Sequence, residues 1–218
     1  MRNLSFFLLT ALGLLSGCGV GGALSQASVS EGCAGSTLPC ATAADFNAPV
    51  AVGASVTLSI DLALQGGGQP PLGLVSSDEG VFTVKERTLT GVGPGFATLL
   101  LVSDQSVVLD FVAVYAQQAS DLAVSRLAEE GADLGEVSGG MGVLVGGTVS
   151  LAVSALSSTQ PLAGAPPLTW SVADPSIVSI LDQGIAGRET LAGRAPGMTT
   201  VTVSALGLQR SFAVEVTP

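Results

Sequence analysis

The 218-residue chain is predicted to be all-β: two tandem β-sandwiches behind an N-terminal leader and a short tether. Three observations predict this. Apolar and polar residues alternate with a period of two through most of the chain after Val52, as in strands with one buried and one wet face. Gly, Pro and Asp clusters punctuate these runs at short spacing, which favours a sandwich. Four sequence blocks also occur twice in the same order, so the architecture is duplicated.

Composition narrows the chemistry before any motif is considered. Charged residues make up 11% of the chain, hydrophobic residues 47% and aromatics 4%. Seven basic against 17 acidic residues give a net charge of −10, and there is no histidine. Imidazole-based catalysis and His-ligated metal sites are therefore excluded. The acidic balance argues against nucleic acid, whose phosphate backbone needs clustered Lys and Arg.

The leader comes first. Met1-Arg2-Asn3 is a short positive start, and Leu4 to Leu15 is apolar apart from Ser5, Thr10 and Gly13. A stretch of about 12 residues is too short to span a bilayer but suits a signal-peptide core, placing residues 1–17 as a signal peptide. Leu15-Ser16-Gly17-Cys18 resembles the lipobox of bacterial lipoproteins. That resemblance implies cleavage before Cys18, a diacylglycerol on its thiol and an acyl chain on its freed amine. No cofactor beyond this covalent lipid is expected. The alternative is an ordinary secretion signal with an unrelated Cys. Multiple acyl chains anchor stably where one is marginal. Gly19, rather than Asp, follows Cys18; by resemblance to enterobacterial sorting, this favours the outer membrane over inner-membrane retention.

Residues 18–41 are expected to be a tether, small and polar from Gly19 to Ser30. Cys33 and Cys40 are the cysteines left after lipidation, and in an oxidising envelope an even pair reads as a disulfide. A metal site fits less well, since two thiolates without His leave the coordination shell unfilled. A redox pair lacks the Cys-x-x-Cys spacing.

The two sandwiches are placed at 42–117 and 118–218. Val52–Leu58 resembles Val145–Leu151, and Pro70–Leu74 aligns with Pro166–Trp170. Ser77–Val84 matches Ala173–Ile180, and Leu89–Gly95 matches Leu191–Gly197. Within the copies, Val56, Leu58, Ile60, Leu62 and Leu64 share one strand face. So do Val149, Leu151, Val153 and Ala155, then Val201, Val203 and Ala205, then Phe212, Val214 and Val216. Ser120–Glu130 has some helical character but is read as a strand, Leu122–Leu127, running into an acidic loop.

The second copy resembles the bacterial immunoglobulin-like family, group 2. The residues that carry the likeness are Trp170-Ser171-Val172-Ala173-Asp174-Pro175-Ser176-Ile177-Val178 and Ala195-Pro196-Gly197-Met198-Thr199-Thr200-Val201-Thr202-Val203. The first copy is a degenerate relative, with Leu74 in place of Trp170 and Glu79-Gly80 in place of Asp174-Pro175. The family implies seven-strand sandwiches, often in tandem on bacterial surface proteins, and no catalytic residues.

Few residues are candidates for a site. Trp170 is expected to plug the core between the sheets, with a binding platform as the alternative. Glu129, Glu130, Asp133 and Glu136 could contribute oxygens to Ca²⁺, but they lack alternating Asp spacing, and a solvated loop is the simpler reading. Asp78 and Asp174 recur at matching positions and are expected to cap turns. Pro94-Gly95 and Pro196-Gly197 read as turns. Serine catalysis without His needs a Lys partner, and Lys85, the only Lys, stands in a charged loop. No enzyme is expected. The leading reading is a lipid-anchored envelope protein whose immunoglobulin-like domains act as a stalk or as an adhesion or protein-interaction module. The alternatives are a glycan- or Ca²⁺-binding surface module and an accessory subunit of an envelope complex. The expected partners are the membrane, through the lipid, and a protein or glycan whose identity is open.

Overall fold

The structure, a computed structural model, describes residues 25–32, 48–64, 71–128, 131–182 and 184–218. The signal peptide, Cys18, Cys33, Cys40, Glu129 and Glu130 lie outside the described residues. The described chain is all-β.

Eight strands come first: β1 (Ser25–Gly32), β2 (Val50–Ala51), β3 (Ser55–Leu64), β4 (Leu72–Ser76), β5 (Phe82–Lys85), β6 (Thr88–Gly91), β7 (Gly95–Ser103) and β8 (Val108–Gln117). They form two sheets, β1-β3-β6-β5 and β2-β8-β7-β4. Ten more follow: β9 (Asp121–Leu127), β10 (Asp133–Glu136), β11 (Gly140–Leu144), β12 (Thr148–Ser157), β13 (Gln160–Pro161), β14 (Thr169–Val172), β15 (Val178–Leu181), β16 (Arg188–Gly193), β17 (Gly197–Ala205) and β18 (Leu208–Thr217). These build the sheets β10-β9-β12-β16-β15, with β13 on β12, and β11-β18-β17-β14. The described strands thus form two pairs of sheets, one before and one after the Gln117–Asp121 connection.

The period-two pattern explains what faces inward. In β7, Ala97, Leu99 and Leu101 are buried while Phe96, Thr98 and Leu100 are not. Ala97 and Leu99 stand opposite Val114 and Val112 of β8. With Leu58, Phe82 and Leu89 they form the N-terminal core. In β17, Val201, Val203 and Ala205 are buried and join Val124, Leu151, Leu191, Phe212 and Val214 in the C-terminal core. Burying such side chains contributes about 1.5–3 kcal/mol each.

The sequence repeat is also a repeat of hydrogen bonds. The carbonyl of Asp78 accepts from Val81 and Phe82, and that of Asp174 accepts from Ile177 and Val178. The carbonyl of Val81 then accepts from Val92 and Gly93, as that of Ile177 accepts from Arg194 and Ala195. Two glycines explain themselves by close backbone approach. A Cβ at Gly91 would stand 2.6 Å from the carbonyl oxygen of Ala51, and one at Gly193 would stand 2.5 Å from that of Leu144. The short strands β2 and β11 run parallel to β8 and β18 in the two pairs, so this crowding is duplicated as well.

One expectation needs correction. The segment taken as a tether contains β1, which pairs antiparallel with β3 from Ser25 opposite Leu64 to Gly32 opposite Thr57. Residues 25–32 are therefore part of the same sheet as β3, not a free tether. The reason is the edge: among the described residues β3 is otherwise paired within its sheet only with β6 over Ser55–Thr57, and an open edge recruits a strand. The counterpart in the second copy is β9, which pairs with β12 in the same way.

Candidate functional site

The described residues offer five places: the joint between the sheet pairs, the tryptophan, the acidic turn, a cleft beside β16 and the outer face of β7 and β8. Among the described residues, the strands up to Gln117 and those from Asp121 onward lie in separate sheets. The two pairs are nevertheless sewn together by backbone. The Ala51 N–H donates to the Ala163 carbonyl at 3.0 Å, and the Ala163 N–H donates to Pro49 at 2.8 Å. Ser55 and Ala165 exchange N–H···O bonds of 3.2 and 2.8 Å. Around these bonds Ala51, Ala54, Ala119, Ala155 and Leu162 are buried together, with Leu206 and Leu208 packed against them. Gln117 Nε2 adds a bond of 2.7 Å to Ser157 Oγ. Small residues suit this place because they let two backbones approach to hydrogen-bonding distance.

Trp170 lies on β14, the edge of its sheet, opposite Val203. It packs against the C-terminal core but is only half-buried, so it flanks that core instead of plugging its centre. The edge position is the physical reason: no further strand covers its outer side. Its indole Nε1 is buried without a hydrogen-bond partner among the described residues, which costs free energy. Leu74, its counterpart, is also half-buried against the N-terminal core.

The acidic turn is partly committed to local structure. Asp133 Oδ1 accepts from the Gly135 N–H at 2.7 Å. Arg210 Nη2 on β18 donates to Glu136 Oε1 at 3.1 Å, and Arg210 Nη1 lies 3.8 Å from Asp121 Oδ2. This cluster ties one sheet to the other at an exposed edge, where ion pairs contribute little. Among the described residues no three acidic or thiol side chains gather as metal ligands. Asp78 and Asp174 behave as expected of turn caps. Asp78 Oδ1 accepts from the Gly80 N–H at 2.8 Å, and Asp174 Oδ1 accepts from Ser176 Oγ at 2.6 Å and its N–H at 2.9 Å. Those Ser176 bonds, the hydroxyl's first, hold the Asp174 carboxyl below its ordinary pKa.

Sequence reasoning missed Glu189. It lies on β16 in phase with the buried Leu191 and is 8% exposed. Burial pushes its carboxyl above the ordinary range and the charge of Asp182 adds to this, while the Thr190 N–H, 3.1 Å from Oε1, pulls the other way. It borders a cleft of about 170 Å³ lined also by Leu127, Ser150, Ile185 and Arg188. A carboxylate in phase with core residues of a strand was the available signal. The cleft is a small indentation of mixed polar and apolar lining.

The other feature missed is an apolar outer face on the β7–β8 sheet. Phe96 and Tyr115 are 54% and 55% exposed, with ring centroids 5.1 Å apart. Phe111, further along β8, is 70% exposed.

No family model matches the chain, and the search of curated proteins finds no match. Solved structures do resemble it. Domains 4 and 5 of the S-layer protein SbsC align at 18% identity and TM-score 0.34, over 67% of this chain and 77% of theirs. The adhesin InvE of Yersinia pseudotuberculosis aligns at 14% identity and TM-score 0.34 over 89% of this chain, which spans 59% of the adhesin structure. A β-glycosidase from Bacteroides vulgatus aligns at 12% identity and TM-score 0.36 over 80% of this chain, which spans 24% of that enzyme. Likenesses at this level leave function to be read from the chain's own residues.

Proposed function

We propose that the chain is a non-catalytic cell-envelope protein, anchored by lipid on Cys18, in which two immunoglobulin-like domains form a stiff stalk that holds an interaction surface away from the membrane. The boundary between the domains lies at the Gln117–Asp121 connection, and β1 belongs to the first. The observation that carries this reading is the joint. A flexible linker would suffice to tether two independent modules, whereas four backbone hydrogen bonds and a buried cluster of four alanines and Leu162 resist bending. The anchor is supported by Leu15-Ser16-Gly17-Cys18 after a short apolar core. Free edges such as β14 could accept a partner strand, and the exposed turns could meet a protein or glycan.

The experiment is fractionation of cells carrying the wild-type chain or Cys18→Ala. The wild type should partition into detergent with a mass increased by acyl chains, and Cys18→Ala should lose both properties. A Cys18→Ala chain that still behaves as an acylated membrane protein would refute the anchor. Small-angle scattering on the mature chain tests the stalk, since a hinged pair of domains gives a broad distribution of lengths and a locked pair a narrow one.

A further inference from the structure

The joint lies at one end of the N-terminal strands, and their other end carries an unexplained feature. β3 begins at Ser55, bonded to Ala165 across the joint, and ends at Leu64, which pairs with Ser25. β8 ends at the joint with Gln117 and begins at Val108. Nine residue steps at about 3.3 Å put Leu64 and Val108 each about 30 Å from the joint. Ser25, the first residue of β1, is therefore at the same end as the β7–β8 hairpin, and β1 runs near β8.

That hairpin exposes consecutive large apolar side chains. Val107 is 54% exposed, Val108 50%, Leu109 37% and Phe111 70%. The tip is held firmly: the Ser103 N–H donates to the Val107 carbonyl at 2.9 Å, the Ser106 N–H to the Ser103 carbonyl at 2.9 Å, and the Val107 N–H to Ser103 Oγ at 3.2 Å. The side chains are thus presented outward on a fixed turn. Apolar clusters exposed in this way mark a surface that meets something. The hairpin carries Asp104 and Asp110 and no Lys or Arg, so its partner is apolar and is not an anionic surface.

The sequence between the anchor and the sandwich identifies the partner. Seven residue steps separate Cys18 from Ser25, a span of at most about 25 Å even when fully extended. An acylated Cys18 would therefore keep this end of the sandwich at the bilayer. We propose that the β7–β8 hairpin is a second membrane contact, with Val107, Val108, Leu109 and Phe111 entering the interfacial region of a zwitterionic lipid surface. The inference rests on the lipid anchor at Cys18. Side chains of this kind bury to the depth of the headgroup–acyl boundary, and their contribution adds to that of the acyl chains.

The test uses the full lipidated chain purified from membranes and reconstituted in phosphatidylcholine vesicles, with or without acyl-chain bromination. Trp170, the only native Trp, lies in the other pair of sheets and serves as the internal reference. In Phe111→Trp the new indole should emit further to the blue in vesicles than in detergent-free buffer. Brominated lipid should quench it more than about twofold, as expected for a side chain at the acyl boundary, while wild-type emission should not change. Adding Val108→Asp to Phe111→Trp should remove the quenching. If the wild type floats with vesicles but Phe111→Trp emission is the same in plain and brominated lipid, the hairpin contact is overturned and the anchor stands. If the wild type does not float with vesicles, the anchor and the hairpin contact are both overturned.

Discussion

Gly164 is the residue on which the stiffness proposed for the joint can be tested most directly. It sits between the two alanines that bond across the joint, with φ at +98°. A Cβ there would stand 3.0 Å from Ala54 Cβ and 3.3 Å from both the Ser55 carbonyl oxygen and Val56 Cγ2. Gly164→Ala therefore carries two costs. The backbone conformation costs an L residue about 1–3 kcal/mol. Crowding against Ala54 and Ser55 adds about 1 kcal/mol or more, because one of the neighbours is backbone and cannot swing away. The sum, about 2–4 kcal/mol, compares with about 2–6 kcal/mol for four net backbone hydrogen bonds. The substitution should loosen the joint and leave both cores folded. The readout is amide exchange at Ala51, Ser55, Ala163 and Ala165, whose N–H groups bond across the joint. Their protection should fall at least about thirtyfold, since 1.4 kcal/mol is a factor of ten. Amides in β7 and β17 should keep their protection. Unchanged exchange at the four joint amides, or an equal loss in β7 and β17, would show that Gly164 does not hold the joint.

Trp170→Ala should cost about 2–3 kcal/mol in denaturant unfolding of the C-terminal sandwich, less than the 3–5 kcal/mol of a fully buried Trp, because β14 leaves one side of the indole uncovered. Gly193→Ala should destabilise by about 3 kcal/mol or more, since its new methyl meets the Leu144 carbonyl, whereas Gly142→Ala, with no atom within 4 Å of its Cβ position, should be nearly neutral by thermal unfolding. Glu189 binds its proton more tightly folded than unfolded, so its charge costs stability at neutral pH, and that cost fades as pH falls through the folded value and is gone below the unfolded one. Glu189→Gln should therefore have the higher urea midpoint at neutral pH, with the advantage shrinking toward about pH 4. Placing Pro at Ser28 and then at Val29 should show which N–H faces β3, one variant lowering the midpoint of the N-terminal sandwich and the other having little effect.

What was legible in the sequence depended on contrast between strand faces. β17 and β18 each bury one face and leave the other more exposed, so their period-two pattern gives strand, register and inward residues together. β8 has no such contrast: Phe111, Ala113 and Tyr115 point away from the core while Val112, Val114 and Ala116 point toward it, and both sets are apolar. Its outer surface was invisible to a periodicity argument for that reason. β1 was hidden differently. Its small polar residues look like a linker, and only the duplication of β9 implied that the first copy needed such a strand. The joint left still less trace. Leu162-Ala163-Gly164-Ala165 pairs through backbone atoms, which carry no side-chain signature, and reads as a loop. For Trp170 residue type alone suggested the core centre, while the edge position of β14 decided how deeply it is buried.

The corrected place of β1 changes how a load would pass through the chain. β1 is antiparallel to β3, with Ser25 at the end away from the joint and Gly32 toward it. If the chain is held at Cys18 and pulled through its C-terminal sandwich, the anchor draws Ser25 one way and the joint draws Ser55 the other. The two strands are then loaded along their own length. Their eight register pairs, from Ser25–Leu64 to Gly32–Thr57, must yield together instead of opening one by one from an end. A tether ending at residue 41 would have attached the load near β2, whose pairing with β8 is only two residues long, Val50–Ala116 and Ala51–Gln117. The strand pairing that repairs the edge of β3 would therefore, in a chain held at Cys18, carry the tension in shear along eight register pairs.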